Sequence, residues 1–239
     1  MKGVRIFAHS VLQVTGNLGV AARISVLPML MIVGASLLVG AARVAVAQGD
    51  RGTGFALIAG AVVVSLFAAS WMAVAWHRFV LTGEDPGILL RVDGATLIRY
   101  LLRTMLIALI AGVAGMLFSY AVAVLLATLR LPPGLTPLIL MVPMVALTLR
   151  LSVSLPGVAL GEPVSLAQGW AAITGQAGPL LTLAALVAAA SAALSLPLFF
   201  LPGIAAVIWQ VIQQWATTLL GLSVLTTLYG HFIQRRALR

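Results

Sequence analysis

Long apolar runs separated by short polar connections set the pattern of this chain. Six runs are long enough to cross a hydrocarbon layer of ~30 Å at ~1.5 Å per residue. They lie at about 24–46, 54–76, 101–127, 135–155, 179–201 and 205–229. The pattern predicts an all-α polytopic membrane protein, one integral membrane domain over residues 1–239. Pro137, Pro143, Arg150 and Pro156 interrupt the fourth run. Whether 151–160 spans, lies at the interface or is re-entrant stays open.

Shorter stretches have helical periodicity with a polar face. Val4, Phe7, Val11, Val14 and Leu18 alternate steps of three and four, while Arg5, His9 and Gln13 turn away. This predicts an interfacial amphipathic helix within 1–22. A second such helix carries Leu166, Trp170 and Ile173 and opens at Pro163, a suitable first helical residue. Residues 88–100 read as a weaker middle copy. "VLQVTGNLGVAARIS" (11–25) and "WAAITGQAGPLLTLA" (170–184) both place Thr-Gly-Asn/Gln just ahead of a span. "WHRF" (76–79), the Arg150 segment and "YGHF" (229–232) close the even-numbered spans. Three units result, each an interfacial helix followed by a helical hairpin.

Basic residues orient the spans. Lys2, Arg5, Arg23, Arg78, Arg91, Arg99, Arg103, Arg150, Arg235, Arg236 and Arg239 fall on one side, and Arg43, Arg51 and Arg130 on the other. The positive-inside bias predicts both termini in the cytoplasm, with 230–239 a basic cytoplasmic tail. Met1–Arg23 is too polar for the apolar core of a cleavable signal, so none is expected.

Composition sharpens this reading. With 62% apolar and 8% charged residues, the chain exposes more apolar surface than one soluble core can hide. The net charge of +9 is scattered between apolar runs. No basic cluster interleaved with aromatics tracks a phosphate backbone, so nucleic acid is not an expected partner. Membrane lipids, preferentially anionic, are, and a membrane-protein complex is a further candidate partner. Arg supplies nearly all the basic residues and Ala, Gly, Leu and Val abound, which suggests a GC-rich bacterial genome. The absence of cysteine excludes disulfides, thiolate zinc sites and iron–sulfur clusters.

Candidate chemistry is sparse. Asp50, Glu84, Asp85, Asp93 and Glu162 all fall in connections, which weakens proton-driven transport. His9, His77 and His231 fall at the expected cytoplasmic interface, where amphipathic rings suit the headgroup boundary. No metal site and no cofactor are expected. Trp76, His77, Arg78, Arg150 and His231 are the lipid-headgroup candidates: Trp76 at headgroup level, Arg78 and Arg150 on phosphate or simply snorkelling. In the sixth span Gln210, Gln214, Thr217 and Gly221 share one stripe. These groups either bind neighbouring helices or line a polar cavity. In the fifth span Ala184, Ala188 and Ala192, with Ala185 and Ala189 beside them, suggest the packed centre of the bundle, and Pro197 and Pro202 kink or end that span. No nucleophile, Walker or zinc-protease motif occurs, so an enzyme is not expected.

At "RLSVSLPGVALGEPVSLAQGWAAITGQ" (150–176) and "WHRFVLTGEDP" (76–86) the chain resembles a group of multi-pass inner-membrane proteins of alphaproteobacteria. More distantly it resembles families that repeat a "W-x-x-x-x-G-N" interfacial helix before each hairpin, such as the membrane domain attached to bacterial glycerophosphodiester phosphodiesterases. Trp170 and Gly175–Gln176 fit that pattern, whereas Thr15-Gly16-Asn17 lacks the tryptophan. The resemblance implies the topology and transfers no catalytic residues. The expectation is a non-catalytic bacterial inner-membrane protein that organises lipid or serves a larger complex as an accessory or assembly component. The alternative is a small transporter or facilitator whose polar cavity is lined by the sixth helix.

Overall fold

The computed structural model describes residues 2–85, 87, 92–162 and 164–238. Nine α-helices and no strand occur among them: α1 (Lys2–Thr15), α2 (Leu18–Ala47), α3 (Arg51–Thr82), α4 (Gly94–Thr128), α5 (Thr136–Ser152), α6 (Leu155–Leu160), α7 (Leu166–Ala172), α8 (Ala177–Ser195) and α9 (Gly203–Phe232). Single 3-10 turns, Pro133–Leu135 and Leu196–Phe199, precede α5 and follow α8. Six helical stretches are long and apolar enough to cross a membrane: α2, α3, α4, Pro133–Leu160, Ala177–Phe199 and α9. The chain is an all-α, multi-pass membrane protein, as its apolar pattern predicts.

The boundaries differ from expectation in instructive places. Helix α3 runs past Trp76 to Thr82, where Gly83 adopts the left-handed conformation (φ 75°) and caps it. Trp76, His77 and Arg78 therefore sit inside the helix and not at its exit. The middle interfacial helix is absent from 94–100, because Asp93 caps α4 there and those residues open the span itself. Ile88–Arg91 lie outside the described residues. Helix α7 starts at Leu166 through a Ser165–Gln168 capping box, and Pro163 also lies outside the described residues. The Thr-Gly-Asn/Gln junctions do match: Asn17 and Gln176 cap α2 and α8, directly after α1 and α7.

The fourth span breaks at Val153–Ser154, next to Pro156, whose ring and missing N–H do not fit a helix interior. Residues 151–160 are almost wholly buried, because α6 wedges against α3, α4 and α9. That segment is therefore helical and inside the bundle.

The main interhelical seam joins α2 and α3. Ala21, Pro28, Ala35 and Ala42 on α2, and Gly54, Ala61 and Ala68 with Ala75 on α3, are all buried and recur every seven residues. A seven-residue repeat keeps one small face turned to the partner along two long helices. Small side chains let the backbones close in: a Cβ on Gly54 would lie 3.3 Å from the Ala42 carbonyl oxygen. The fifth-span alanines do this only in part. Ala184 and Ala188 are buried, while Ala185, Ala189 and Ala192 are exposed.

Burial is uneven along the spans. The buried residues of α9 all lie within Leu219–Gly230, and those of α3 concentrate in Ala68–Leu81. Helix α1 packs on α8 and α9 at that same end. Towards the other end the helices expose Leu37, Phe55, Met116 and Phe199, as lipid-facing surface would. Gly3 makes the α1–α8 contact possible, since a Cβ there would lie 3.0 Å from the Leu183 nitrogen. Ala68→Leu should overpack the α2–α3 seam and cost about 1–3 kcal/mol, read as a lower melting temperature in detergent. Leu37→Ala, on the exposed face, should leave that temperature unchanged.

Candidate functional site: a polar cluster at the packed end of the bundle

Three helices meet at His77, which is fully buried. Its Nδ1 lies 2.7 Å from Thr226 Oγ1 on α9 and its Nε2 lies 3.1 Å from the Tyr100 hydroxyl on α4. Thr226 donates its own proton to the Leu222 carbonyl, at 2.7 Å. Its oxygen must then accept from His77 Nδ1–H, which leaves Nε2 to accept from Tyr100 O–H. This pattern assigns a neutral imidazole with both nitrogens satisfied. His77 thus ties α3, α4 and α9 together and does not sit among headgroups.

Trp76 is likewise fully buried, against Ala21, Ile24, Met72 and Leu219. Its indole Nε1 has no hydrogen-bond partner among the described residues. The expected place at headgroup level is corrected: α3 continues beyond it and turns the ring into the core.

Arg78 also finds a protein partner. Its Nε and Nη2 donate to the two Glu84 carboxylate oxygens at 2.6 and 2.8 Å, and Nη1 reaches the Ala159 carbonyl at 3.5 Å. This fork occupies the geometry a lipid phosphate would need. The hydrogen bond from Arg78 holds the Glu84 carboxyl below its ordinary range. Asp50 and Asp93 are held below it too, by their capping bonds to Thr53 and Thr96.

Arg150 stacks on Trp170, with its guanidinium carbon 3.8 Å from the ring centre. Its Nη2 also donates to Thr174 Oγ1 at 3.2 Å. His231 is half-buried and its Nδ1 donates to the Arg236 carbonyl at 3.1 Å. Of the five headgroup candidates, Trp76 and His77 are core residues and the other three are held by protein groups.

The sixth-span stripe also departs from expectation. Gln210 and Gln214 are exposed, and the Gln214 side-chain amide donates to Thr218 one turn on, at 3.2 Å. Thr217 donates to the Gln213 carbonyl one turn back. The amide that ties helices is Gln213, which donates to Ser195 at 2.6 Å, beside Trp209 Nε1 on the Leu194 carbonyl at 2.8 Å.

Two hollows flank the polar cluster. A groove of about 540 Å³ runs between α4 and the segment 158–165, lined by Arg99, Arg103 and Glu162 with Leu102, Leu106 and Val158. Arg103 spans it, donating to Ser154 Oγ at 3.4 Å and to the Val164 carbonyl at 3.3 Å. The buried Tyr229 hydroxyl donates to Glu162. Gly157 leaves room for that ring, 3.1 Å from where a Cβ would stand. A second cavity of about 510 Å³ is lined by His9, Gln13, Thr226, Thr227, His231 and Arg236. No group of three or more metal-ligating side chains converges among the described residues.

Sequence reasoning missed Tyr100, Thr226 and the groove. Arg99 and Arg103, one helical turn apart behind the Asp93 cap, were the legible sign of the groove. Fold and site together define a polytopic helical membrane protein with a polar, hydroxyl-rich cluster at one end. No family model matches the sequence, and no curated protein or solved structure matches it either.

His77→Ala strands the Thr226 and Tyr100 groups in the core. It should cost about 1–3 kcal/mol for each buried group left unpaired. Tyr100→Phe should cost less, and the double variant less than the sum of the two, as melting in detergent would read.

Proposed function

We propose that this chain is a non-catalytic, lipid-binding protein of the bacterial inner membrane, and that its site is the groove between α4 and 158–165. One observation carries the reading: Arg99 and Arg103 lie one turn apart beside an apolar wall of Leu102, Leu106 and Val158. A phosphate at the arginines with an acyl chain along the leucines satisfies both surfaces. The groove replaces Trp76, which is buried in the core, and Arg78 and Arg150, which are held by Glu84 and Trp170, whereas Arg103 is held through Nη1 and Arg99 through Nε. A role as an accessory component of a larger complex is compatible with such lipid-mediated packing.

The second reading is a facilitator for a small polar molecule. It is favoured by the exposed amides of Gln210 and Gln214. On α9 they share a face with Leu225 and Leu228, which pack into the bundle core. Ile204, Ile208 and Ile212 are also exposed, on the opposite face, where lipid is the natural neighbour. The polar stripe therefore suits a space between helices.

Native mass spectrometry of gently solubilised protein separates the two readings. On the first, an anionic phospholipid stays bound and Arg99→Ala reduces its retention about tenfold. Arg99 is the cleaner variant, because its Nε bonds only its own helix, at Ala95. A small polar adduct lost on Gln214→Leu, with only bulk lipid retained, would favour the second reading and sink the first.

We further propose that both termini face the cytoplasm. Support comes from the basic-residue bias and from Arg5, which donates to the Leu238 carbonyl at 3.3 Å and so places both ends of the chain together. The chain has no cysteine, so single cysteines report cleanly. In intact cells an impermeant thiol reagent should label Gly49→Cys, in the α2–α3 turn, and spare Gln234→Cys. The reverse pattern would invert the topology.

A further inference from the structure

The second cavity shares no lining residue with the groove, and its chemistry is different. Two imidazoles and a guanidinium, His9, His231 and Arg236, line it together with Gln13, Thr226 and Thr227. No described carboxylate lines it. Such a gathering of donors around a water-accessible hollow disfavours a cation and invites an anion.

The available donors can be traced. Arg236 Nη2 donates to the Leu81 carbonyl at 2.8 Å, and its other guanidinium N–H groups have no acceptor among the described residues. Gln13 Oε1 accepts from Ser223 at 2.6 Å, which leaves the amide nitrogen for a ligand. His231 donates its Nδ1–H to the Arg236 carbonyl, so its Nε2 donates to an anion only when the ring is the imidazolium. His9 has no partner among the described residues. Thr226 and Thr227 are themselves almost fully buried, and Thr226 carries the His77 tie. The donor set is thus built on the most fixed part of the bundle.

The wall of the cavity is the end of the chain folded back on itself. The Arg236 amide donates to the Gly230 carbonyl at 2.8 Å, and Arg5 of α1 holds the Leu238 carbonyl. Residues 234–238 form a strap between α1 and α3. A volume of about 510 Å³ is well above that of a bare phosphate and lies within the range of small-molecule sites.

We propose that this cavity binds a phosphomonoester, carried either by a soluble metabolite or by a lipid such as phosphatidate. The doubly charged head takes the Arg236 fork, with His9 and the Gln13 amide completing the shell and His231 joining it as the imidazolium. The inference is independent of lipid binding in the groove.

The test uses the full chain in uncharged detergent with inorganic phosphate as the probe, and phosphatidylcholine nanodiscs with and without phosphatidate as the second arm. Phosphate should raise the melting temperature saturably at fixed ionic strength, while chloride should not. His9→Ala combined with Arg236→Gln should weaken the apparent affinity at least ~tenfold. Arg43→Ala, an exposed arginine that lines neither hollow, should leave it intact, which excludes a response to net charge alone. Unchanged helicity and gel-filtration behaviour would show that the double variant still folds. Stabilisation by phosphatidate alone, with the same dependence on His9 and Arg236, identifies the lipid as the source. An unsaturable response in both arms, or equal binding by the double variant, overturns the proposal.

Discussion

An imidazole sealed from water needs a protein partner for each nitrogen, and His77 finds them on two different helices. The geometry of the packed end follows from that requirement. Thr226 is oriented by its bond to Leu222, and Tyr100 is fixed because its hydroxyl has the remaining nitrogen to serve. With α3, α4 and α9 pinned, α6 fills the space between them and carries Gly157 up to the Tyr229 ring. Tyr229 then reaches Glu162, which stands at the edge of the arginine groove. A polar knot in the core thus sets the position of both hollows.

The rest of the bundle is held by shape. The α2–α3 pair depends on small residues every seven positions, and lipid supplies no hydrophobic drive between helices beyond close contact. This explains why apolar helices can lie tightly paired along one seam and be widely exposed elsewhere. The firm end is polar and interlocked. The opposite end presents large apolar side chains outward and carries the exposed amides of α9.

The spans were legible because a run of some twenty apolar residues has few other uses in a protein. The α1 and α7 helices were legible from periodicity, and their ends from the Thr-Gly-Asn/Gln junctions. The alanine seam was equally visible in 21–75, yet the eye goes to the denser alanines of 184–192, where half face outward. The failures at 76–78 have one cause. A tryptophan, histidine and arginine at the end of an apolar run match an interfacial belt. Whether α3 stops there depends on Gly83, and the pairing of His77 with Thr226 joins residues 149 positions apart. Sequence spacing says nothing about contacts of that range. Likewise Gln210, Gln214 and Thr217 share one stripe of α9, but its angle to the other helices is a property of the assembled bundle.

The seating of α1 bears on how the protein is made. Ser10 meets Thr227, 217 positions away, and α1 rests on α8 and α9. At a synthesis rate of roughly ten residues per second, α1 waits about twenty seconds for its resting place. Until then its apolar face has only the membrane surface to lie on. The hairpin α2–α3 can close early and locally, whereas the His77 tie awaits α9. Assembly of the packed end therefore waits for α9, and a ribosome that stops short of it leaves α1 adrift.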